Sequence, residues 1–287
     1  LFLISEAPAD AREMAKAMDY SDENPILCSL MLSLQDLAMG RLTDIRDRGI
    51  PGVSGVESTF LSETATHALY RQLSEGVYIL ARNLLSIDNI LLDNEPTILF
   101  KKVKKLSVGD SYPLISESNE AAVCFSGPYH LASLLILVAE YLPKQAVTKI
   151  PPPLNTDAAG WNNRLELIAE QRPYLWKNHT HAIAKGYLET GTSSVIGFPT
   201  GAGKSTLSEL KISSVLLLER KVVFLAPTHA LVDQTTRSLR KSFPTSKVQG
   251  ERVDELGMLS GFQDLPEIMV MTPEACLTMI GIDPEVF

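Results

Sequence analysis

The fold of this chain is decided by the sequence Val195-Ile196-Gly197-Phe198-Pro199-Thr200-Gly201-Ala202-Gly203-Lys204-Ser205-Thr206. Its short apolar run predicts a strand over Val195–Phe198, and the apolar spacing after the glycines predicts a helix over Leu207–Leu218. Glycines at 201 and 203 let the backbone turn its N–H groups around a triphosphate, and the positive end of the following helix dipole faces the same anion. We therefore expect a phosphate-binding loop in an α/β fold.

Two side chains of this loop have the chemistry that a nucleoside triphosphate requires. Lys204 is expected to reach the outer phosphates, and the hydroxyl of Ser205 is placed to bind Mg²⁺. The strict eight-residue pattern has glycine at the position of Phe198. The shorter pattern Pro-Thr-Gly-x-Gly-Lys-Ser, between a strand and a helix, still indicates a triphosphate site.

Two further strands are predicted to end at helix starts. Lys221–Leu225 is an apolar strand followed by Ala226-Pro227-Thr228, and an amphipathic helix then runs to about Phe243. Ile268–Met271 is followed by Thr272-Pro273-Glu274, with threonine at the cap, proline at the first helical position and an acid in the first turn. Ligands of parallel sheets collect at the carboxyl ends of the strands, so we expect these helix starts to offer N–H groups to phosphates.

The three segments resemble motifs of a known family. Phe198–Thr206, Ala226–Gln234 and Val270–Glu274 are similar to motifs I, Ia and Ib of superfamily 2 helicases, in the same chain order. The pattern Ala-Pro-Thr-x-Ala-Leu-Val resembles the DExH helicases of the superkiller type, and the resemblance covers residues 172–274. It implies an ATP-dependent DNA or RNA helicase whose first RecA-like domain binds ATP and tracks one strand.

The resemblance also implies roles for single residues. Those placed around ATP and Mg²⁺, with Lys204 as the catalytic cation and Ser205 as the metal ligand, are Pro199, Thr200, Gly201, Ala202, Gly203, Lys204, Ser205 and Thr206. Those placed against the phosphodiester backbone are Pro227, Thr228, Thr272 and Pro273, with His229 as a further candidate. His179 stands where the family often has an adenine-reading glutamine, so we treat it as a candidate nucleotide contact.

The organisation of the chain follows from its length and its prolines. A chain of 287 residues has room for about two domains. The prolines at 151–153 predict a mostly helical domain over residues 1–150, a linker and lead-in helix over 151–171, and the first part of a RecA-like domain over 172–287. Helices are predicted at Ala9–Met18, Ile26–Ala38, Thr66–Leu85 and His130–Tyr141, and strands at Ile98–Lys105 and Ala121–Phe125.

The charge and the cysteine content bear on the possible binding partners and on the cellular location of the protein. The net charge of −8 disfavours binding of nucleic acid by surface electrostatics alone, so any contact has to use backbone amides and helix ends. Three cysteines without a close pair predict neither a disulfide framework nor a zinc site, and favour a cytoplasmic location. The apolar run Leu131–Val138 is too short to span a membrane. The four lysines between 101 and 105 are interpreted as a solvated face.

Two other interpretations stay open. Double-strand DNA translocases of the restriction or remodelling type share these motifs. Alternatively, residues 1–150 are an interaction module that docks a protein partner or tethers an effector nuclease to a helicase motor, a layout that resembles large helicases of bacterial antiviral defence systems. A small-molecule kinase is disfavoured, because the chain has two Pro-Thr strand ends and no arginine-rich lid segment.

Hydrolysis of ATP requires a carboxylate for Mg²⁺ and a second one that orients the attacking water. The family has this Asp-Glu pair after the next strand, whereas Asp283 and Glu285 stand in a turn without an apolar strand before them. We therefore expect residues 1–287 to bind ATP without sustained hydrolysis. A steady-state phosphate-release assay checks this, and steady release that Lys204→Ala abolishes would contradict it.

Overall fold

A computed structural model describes most of the chain. The described residues are 8–18, 24–52, 61–86, 95–108, 125–199, 201–250, 265–282 and 284. Backbone contacts divide the chain into two compact units, the first formed by Leu1–Pro151 with Asn162–Thr180 and the second by Pro152–Trp161 with His181–Phe287. The division falls within two helices, and the domain limits expected from the sequence stay a prediction.

The regular elements of the first unit, among its described residues, are helices, with one isolated antiparallel bridge between Ala146 and Tyr174. Its helices are α1 (Pro8–Lys16), α2 (Pro25–Met39), α3 (Leu42–Arg48), α4 (Leu61–Leu85), α5 (Pro96–Leu106) and α6 (Ser126–Tyr141), followed by 3₁₀ turns at Leu142–Gln145 and Val147–Lys149. The two helices that span the division are α7 (Ala158–Ala169) and α8 (Lys177–Ala184). The four helices predicted in the first half are confirmed, because apolar side chains at three- and four-residue spacing pack inward.

Helix α4 forms the centre of this unit, with α2, α3 and α5 packed against it. Leu73, Val77 and Leu80 are fully buried, one or two turns apart along α4. The buried ring of Phe100 in α5 lies so close to Gly76 that a Cβ there would be 2.3 Å from a ring carbon. The close approach of α4 and α5 therefore depends on glycine at this position.

The strand predicted over Ile98–Lys105 is wrong. This segment lies in α5, because Pro96, Phe100 and Val103 are buried at helical spacing while Lys101 and Lys102 are exposed between them. Residues 121–124 of the other predicted strand lie outside the described residues.

The buried carboxylate of Asp36, in the first unit, is paired with two arginines. Asp36 of α2 accepts hydrogen bonds from Arg48, and Arg41 lies 2.7 Å from its other oxygen. Arg48 also donates to the hydroxyl of Ser33 at 2.9 Å. Because two guanidinium groups neutralise it, Asp36 joins α2 to α3 and offers no catalytic base.

The second unit confirms the predicted α/β class with a parallel sheet. Its further elements are α9 (Lys204–Leu216), β1 (Val222–Leu225), α10 (His229–Ser242), β2 (Val248–Gly250), β3 (Ile268–Met271) and α11 (Pro273–Ile282). The three strands are parallel in the order β1-β3-β2. Ile212 of α9 and Val232 and Leu239 of α10 form a core with Ile268 and Val270 of β3.

The strand predicted over Val195–Phe198 is wrong for this structure. Residues 192–199 have no regular secondary structure, and the side chain of Val195 is fully exposed. A strand needs a neighbour for its N–H and C=O groups, and the described sheet does not extend to this segment. Across the described residues, no helix is both long and apolar enough to cross a membrane.

Candidate functional site

The phosphate loop lies between Phe198 and helix α9. Gly201 and Gly203 have φ of +81° and +77°, in the left-handed region that side chains other than glycine rarely adopt. The N–H of Ala202 donates to the carbonyl of Pro199 at 3.3 Å, which closes the turn. A Cβ at Gly201 would meet nothing within 4 Å, so the backbone there is open to a ligand. Thr200, also predicted to bind ATP, lies outside the described residues.

The start of α9 supplies donors without a side-chain cap. Gly203 occupies the cap position and offers no side-chain acceptor, and Lys204 is the first helical residue. Among the described residues, the backbone N–H groups of Lys204 and Ser205 have no hydrogen-bond acceptor. The Thr206 N–H instead donates to the carbonyl of Gly203 at 3.1 Å. Two amides and the helix dipole therefore point to a site suited to an anion.

The side chain of Lys204 closes this loop. Its Nζ donates to the carbonyl of Phe198 at 3.0 Å, and both Lys204 and Ser205 are exposed. A bound phosphate would replace that carbonyl as the acceptor, since an anion is a stronger partner for an ammonium group than a neutral oxygen. Exposed amides and an ammonium group bind phosphate oxygens, and a hydroxyl oxygen can bind Mg²⁺. These residues therefore fit a nucleoside triphosphate with Mg²⁺.

Helix α9 also fixes the segment that leads to the loop. Lys211 donates to the carbonyl of Glu189, and Ser214 donates to the carbonyl of Leu188 at 3.0 Å. The Lys211 ammonium lies 5.8 Å from the centre of the Tyr187 ring. Burial lowers the pKa of Lys211, and Glu189 opposes that shift. These contacts give Lys211 a structural role in anchoring the chain before the loop.

Helix α10 begins at an exposed threonine cap, as the sequence predicts. The hydroxyl oxygen of Thr228 accepts the N–H of Leu231 at 3.3 Å, and its carbonyl accepts the N–H of Val232 at 2.9 Å. Pro227, Thr228 and His229 are all exposed. The start of α10 is therefore ordered by its own cap and accessible to a ligand.

Helix α11 begins in the same way. The hydroxyl oxygen of Thr272 accepts the N–H of Ala275 at 3.3 Å, and its carbonyl accepts the N–H of Cys276 at 3.1 Å. Thr272 is buried, whereas Pro273 and Glu274 in the first turn are exposed. The carboxylate of Glu274 stabilises the helix start but also opposes an incoming phosphate.

The pairing of β1 with β3 brings these two helix starts together. Leu225, the last residue of β1, is in register with Met271, the last residue of β3, and the Ala226 N–H donates to the Met271 carbonyl at 2.9 Å. The two caps are the third residue after β1 and the first after β3, so they lie at the same carboxyl edge. Helix α9 ends at Leu216, shortly before β1 begins, so its start is directed toward this edge as well.

His179 is placed differently from the loop residues. It lies in the first compact unit and is 2% exposed. Its Nδ1 accepts the N–H of Trp176 at 3.2 Å, and the two rings stack with centroids 5.6 Å apart. Tyr174 donates to the carbonyl of Leu37 at 2.9 Å, and burial raises the pKa of its phenol. The predicted contact of His179 with a nucleotide stays a prediction.

The described part of the chain contains no group of three or more histidine, cysteine or carboxylate side chains that could hold a metal ion. Asp283 and Glu285 lie outside the described residues. The geometry therefore describes a cradle for phosphates, and the hydrolytic step has no assigned base here.

Comparison with known proteins gives a family match for part of the chain. Residues 177–286 match the DEAD/DEAH box helicase family. The matched range contains the phosphate loop, the caps of α10 and α11 and the sheet between them. It supports an ATP-dependent helicase of the superfamily 2 type for this part of the chain. No curated protein matches the chain.

Replacement of Lys204 by methionine tests the cradle. Methionine keeps the helix propensity and stem length but removes the ammonium group, and charged hydrogen bonds contribute about 1.5–3 kcal/mol. We expect the affinity for MgATP to fall by about 10- to 100-fold, measured by isothermal titration calorimetry. Lys221→Met, at an exposed position before β1, is the matched control and keeps the affinity. Equal affinities of the two variants would contradict this role.

Proposed function

We propose that this chain is the ATP-binding and strand-tracking part of a superfamily 2 helicase of the DExH, superkiller-like type. The observation that supports this most is the juxtaposition of two capped helix starts at the carboxyl edge of one parallel sheet. The phosphate loop precedes them in the same compact unit, and the helicase family match covers all three.

In this proposal, MgATP binds to Pro199–Thr206. The amides of Lys204 and Ser205 and the Lys204 ammonium contact the phosphates, and the Ser205 hydroxyl binds Mg²⁺. Bound Mg²⁺ neutralises part of the triphosphate charge. The residues themselves orient the nucleotide, because the two left-handed glycines fix the direction of the loop amides.

A nucleic-acid strand binds across the starts of α10 and α11. The helix-start N–H groups donate to phosphate oxygens. The residues around them are Pro227, Thr228, Thr272 and Pro273, with His229 beside them. Such contacts follow the backbone and do not distinguish bases. They also need few basic side chains, which reconciles the binding of a polyanion with a chain of net charge −8.

The remaining parts of the proposal concern the whole protein. A role in a bacterial antiviral defence complex, a docking function of residues 1–150 and the cytoplasmic location stay predictions. Duplex translocation and tethering of a nuclease are the alternatives. Stimulation of ATP turnover by duplex DNA rather than by single strands would favour the first, and capture of a nuclease by residues 1–150 would favour the second.

Replacement of Thr228 by aspartate tests the strand site without removal of the cap. Aspartate and asparagine are both good N-cap residues, so both variants keep the start of α10, but only aspartate adds a negative charge. We expect Thr228→Asp to weaken binding of labelled single-stranded DNA or RNA by about 10-fold, and Thr228→Asn to bind like the wild type. Fluorescence anisotropy gives the affinities.

A second variant moves the affinity in the opposite direction. Glu274→Gln removes the exposed carboxylate from the first turn of α11, so it is expected to tighten binding about two- to five-fold. The affinity for MgATP stays unchanged in all three variants. Equal strand affinities of Thr228→Asp and Thr228→Asn would contradict the proposed site.

A further inference from the structure

A basic cleft lies along α10 and β2, away from the phosphate loop in sequence. It has a volume of about 670 Å³. Its lining includes three exposed cations, Arg237 and Arg240 of α10 and Lys247 just before β2, with Asp233 as its acidic member. Three positive charges and one negative charge give the cleft a balance of +2, in a chain whose net charge is −8. This local reversal of sign favours an anionic ligand.

The two arginines are held in place by backbone oxygens. Arg240 donates through Nε to the carbonyl of Val248 in β2 at 3.1 Å, and Arg237 donates through Nε to the carbonyl of Asp233 at 3.2 Å. Neither guanidinium forms an ion pair with a carboxylate within the described part of the chain. Their terminal nitrogens therefore remain available for an acceptor such as a phosphate oxygen.

The spacing of these cations suits a chain of phosphates. Arg237 and Arg240 are three residues apart on a helix, which places their Cβ atoms about 5–6 Å apart on one face. Lys247 stands at the start of β2, which is at the edge of the described sheet, and its backbone N–H donates to Glu267 at 3.2 Å. The cleft thus brings together cations from two elements, α10 and the segment before the edge strand, so that several phosphates of a polyanion could be bound at once.

The cleft begins within α10, one turn beyond the helix start. Asp233 lies five residues after the Thr228 cap, which corresponds to about 7.5 Å along the helix axis. A strand bound at the α10 start is therefore close enough to enter the cleft. An isolated phosphate or nucleotide would not need a site with this extension.

We propose that the basic cleft is a second contact for the phosphodiester backbone of single-stranded nucleic acid, with phosphates on Arg237, Arg240 and Lys247. The strand passes the start of α10 and continues along α10 past the edge of β2. The inference rests on the proposed function, because it extends the path of the same strand.

The experiment measures the salt dependence of strand binding by the full chain. The probe is a labelled oligo-dT of about 20 nucleotides, longer than the roughly 4–16 nucleotides that single-strand binding folds cover. The variant R237Q/R240Q/K247Q removes the three cleft cations. The matched control R220Q/K221Q/K241Q removes three exposed cations that do not line the cleft, so both proteins change by the same charge.

The slope of log K against log salt is negative, and we expect the cleft variant to reduce its magnitude by about 2. Each single-strand phosphate contact contributes about 0.7 to that magnitude. At physiological salt its affinity should fall by at least about 10-fold. The control keeps a slope close to that of the wild type, and both keep the affinity for MgATP. The variant R237Q/K247Q leaves the Arg240 bond to β2 intact. It is expected to reduce the magnitude of the slope by about 1.4.

The outcomes separate this inference from the proposed function. If the wild-type chain binds the oligonucleotide and the cleft variants have the same slope as the control, the second contact is overturned and the proposed function stands. If the wild-type chain binds no strand, the proposed function fails as well. A further outcome would overturn the assignment in favour of an acidic protein partner. In it, the wild-type chain binds a labelled poly-glutamate peptide, the cleft variant does not, and both bind the strand equally.

Discussion

The parallel pairing of β1 with β3 is the constraint on which the candidate site depends. The pairing places Leu225 beside Met271, and the Ala226 N–H continues the ladder by one bond at 2.9 Å. Since both strands end at the same edge of the sheet and each is followed within three residues by a helix, the caps at Thr228 and Thr272 lie at that edge. A shift of the register by one residue would separate the caps and exchange the buried and exposed faces of the strands.

In the proposed function, helix starts serve as the binding groups of this unit. The phosphate loop uses the uncapped start of α9, whereas α10 and α11 use threonine caps that order the first turn and leave donors at the edge. An amide donor adds no net charge, so an acidic chain can present several of them to phosphates. The contact proposed for Arg237, Arg240 and Lys247 is of a different kind, because its attraction depends on salt concentration.

The sequence predicts the local backbone features of the candidate site better than it predicts the sheet. The glycines at 201 and 203 and the threonine caps are local features, because the left-handed backbone and the cap bond involve only neighbours in sequence. Strands at 222–225 and 268–271 are confirmed, since their apolar runs are bounded by clear helix starts. The short strand β2, Val248–Gly250, has too few residues for a periodic signal and is not predicted.

The features that the sequence did not predict correctly all depend on contacts between parts of the chain that are distant in sequence. Val195–Phe198 has strand composition, but a strand forms only with a partner that satisfies its backbone groups, and composition does not report a partner. The segment at 98–105 contains alternating lysines and apolar residues, and packing of Phe100 against Gly76 selects the helix. The cleft was missed because Arg240 and Lys247 belong to different elements and meet only through the fold.

The proposed function depends above all on the binding of a nucleic-acid strand at the starts of α10 and α11. Hydrogen–deuterium exchange of the full chain, with and without single-stranded oligonucleotide, tests it without any substitution. We expect slower exchange of the first amides of both helices, after Thr228 and after Thr272, and unchanged exchange in α2 and α4. Protection confined to the helices of the first unit, with the two helix starts unaffected, would contradict it.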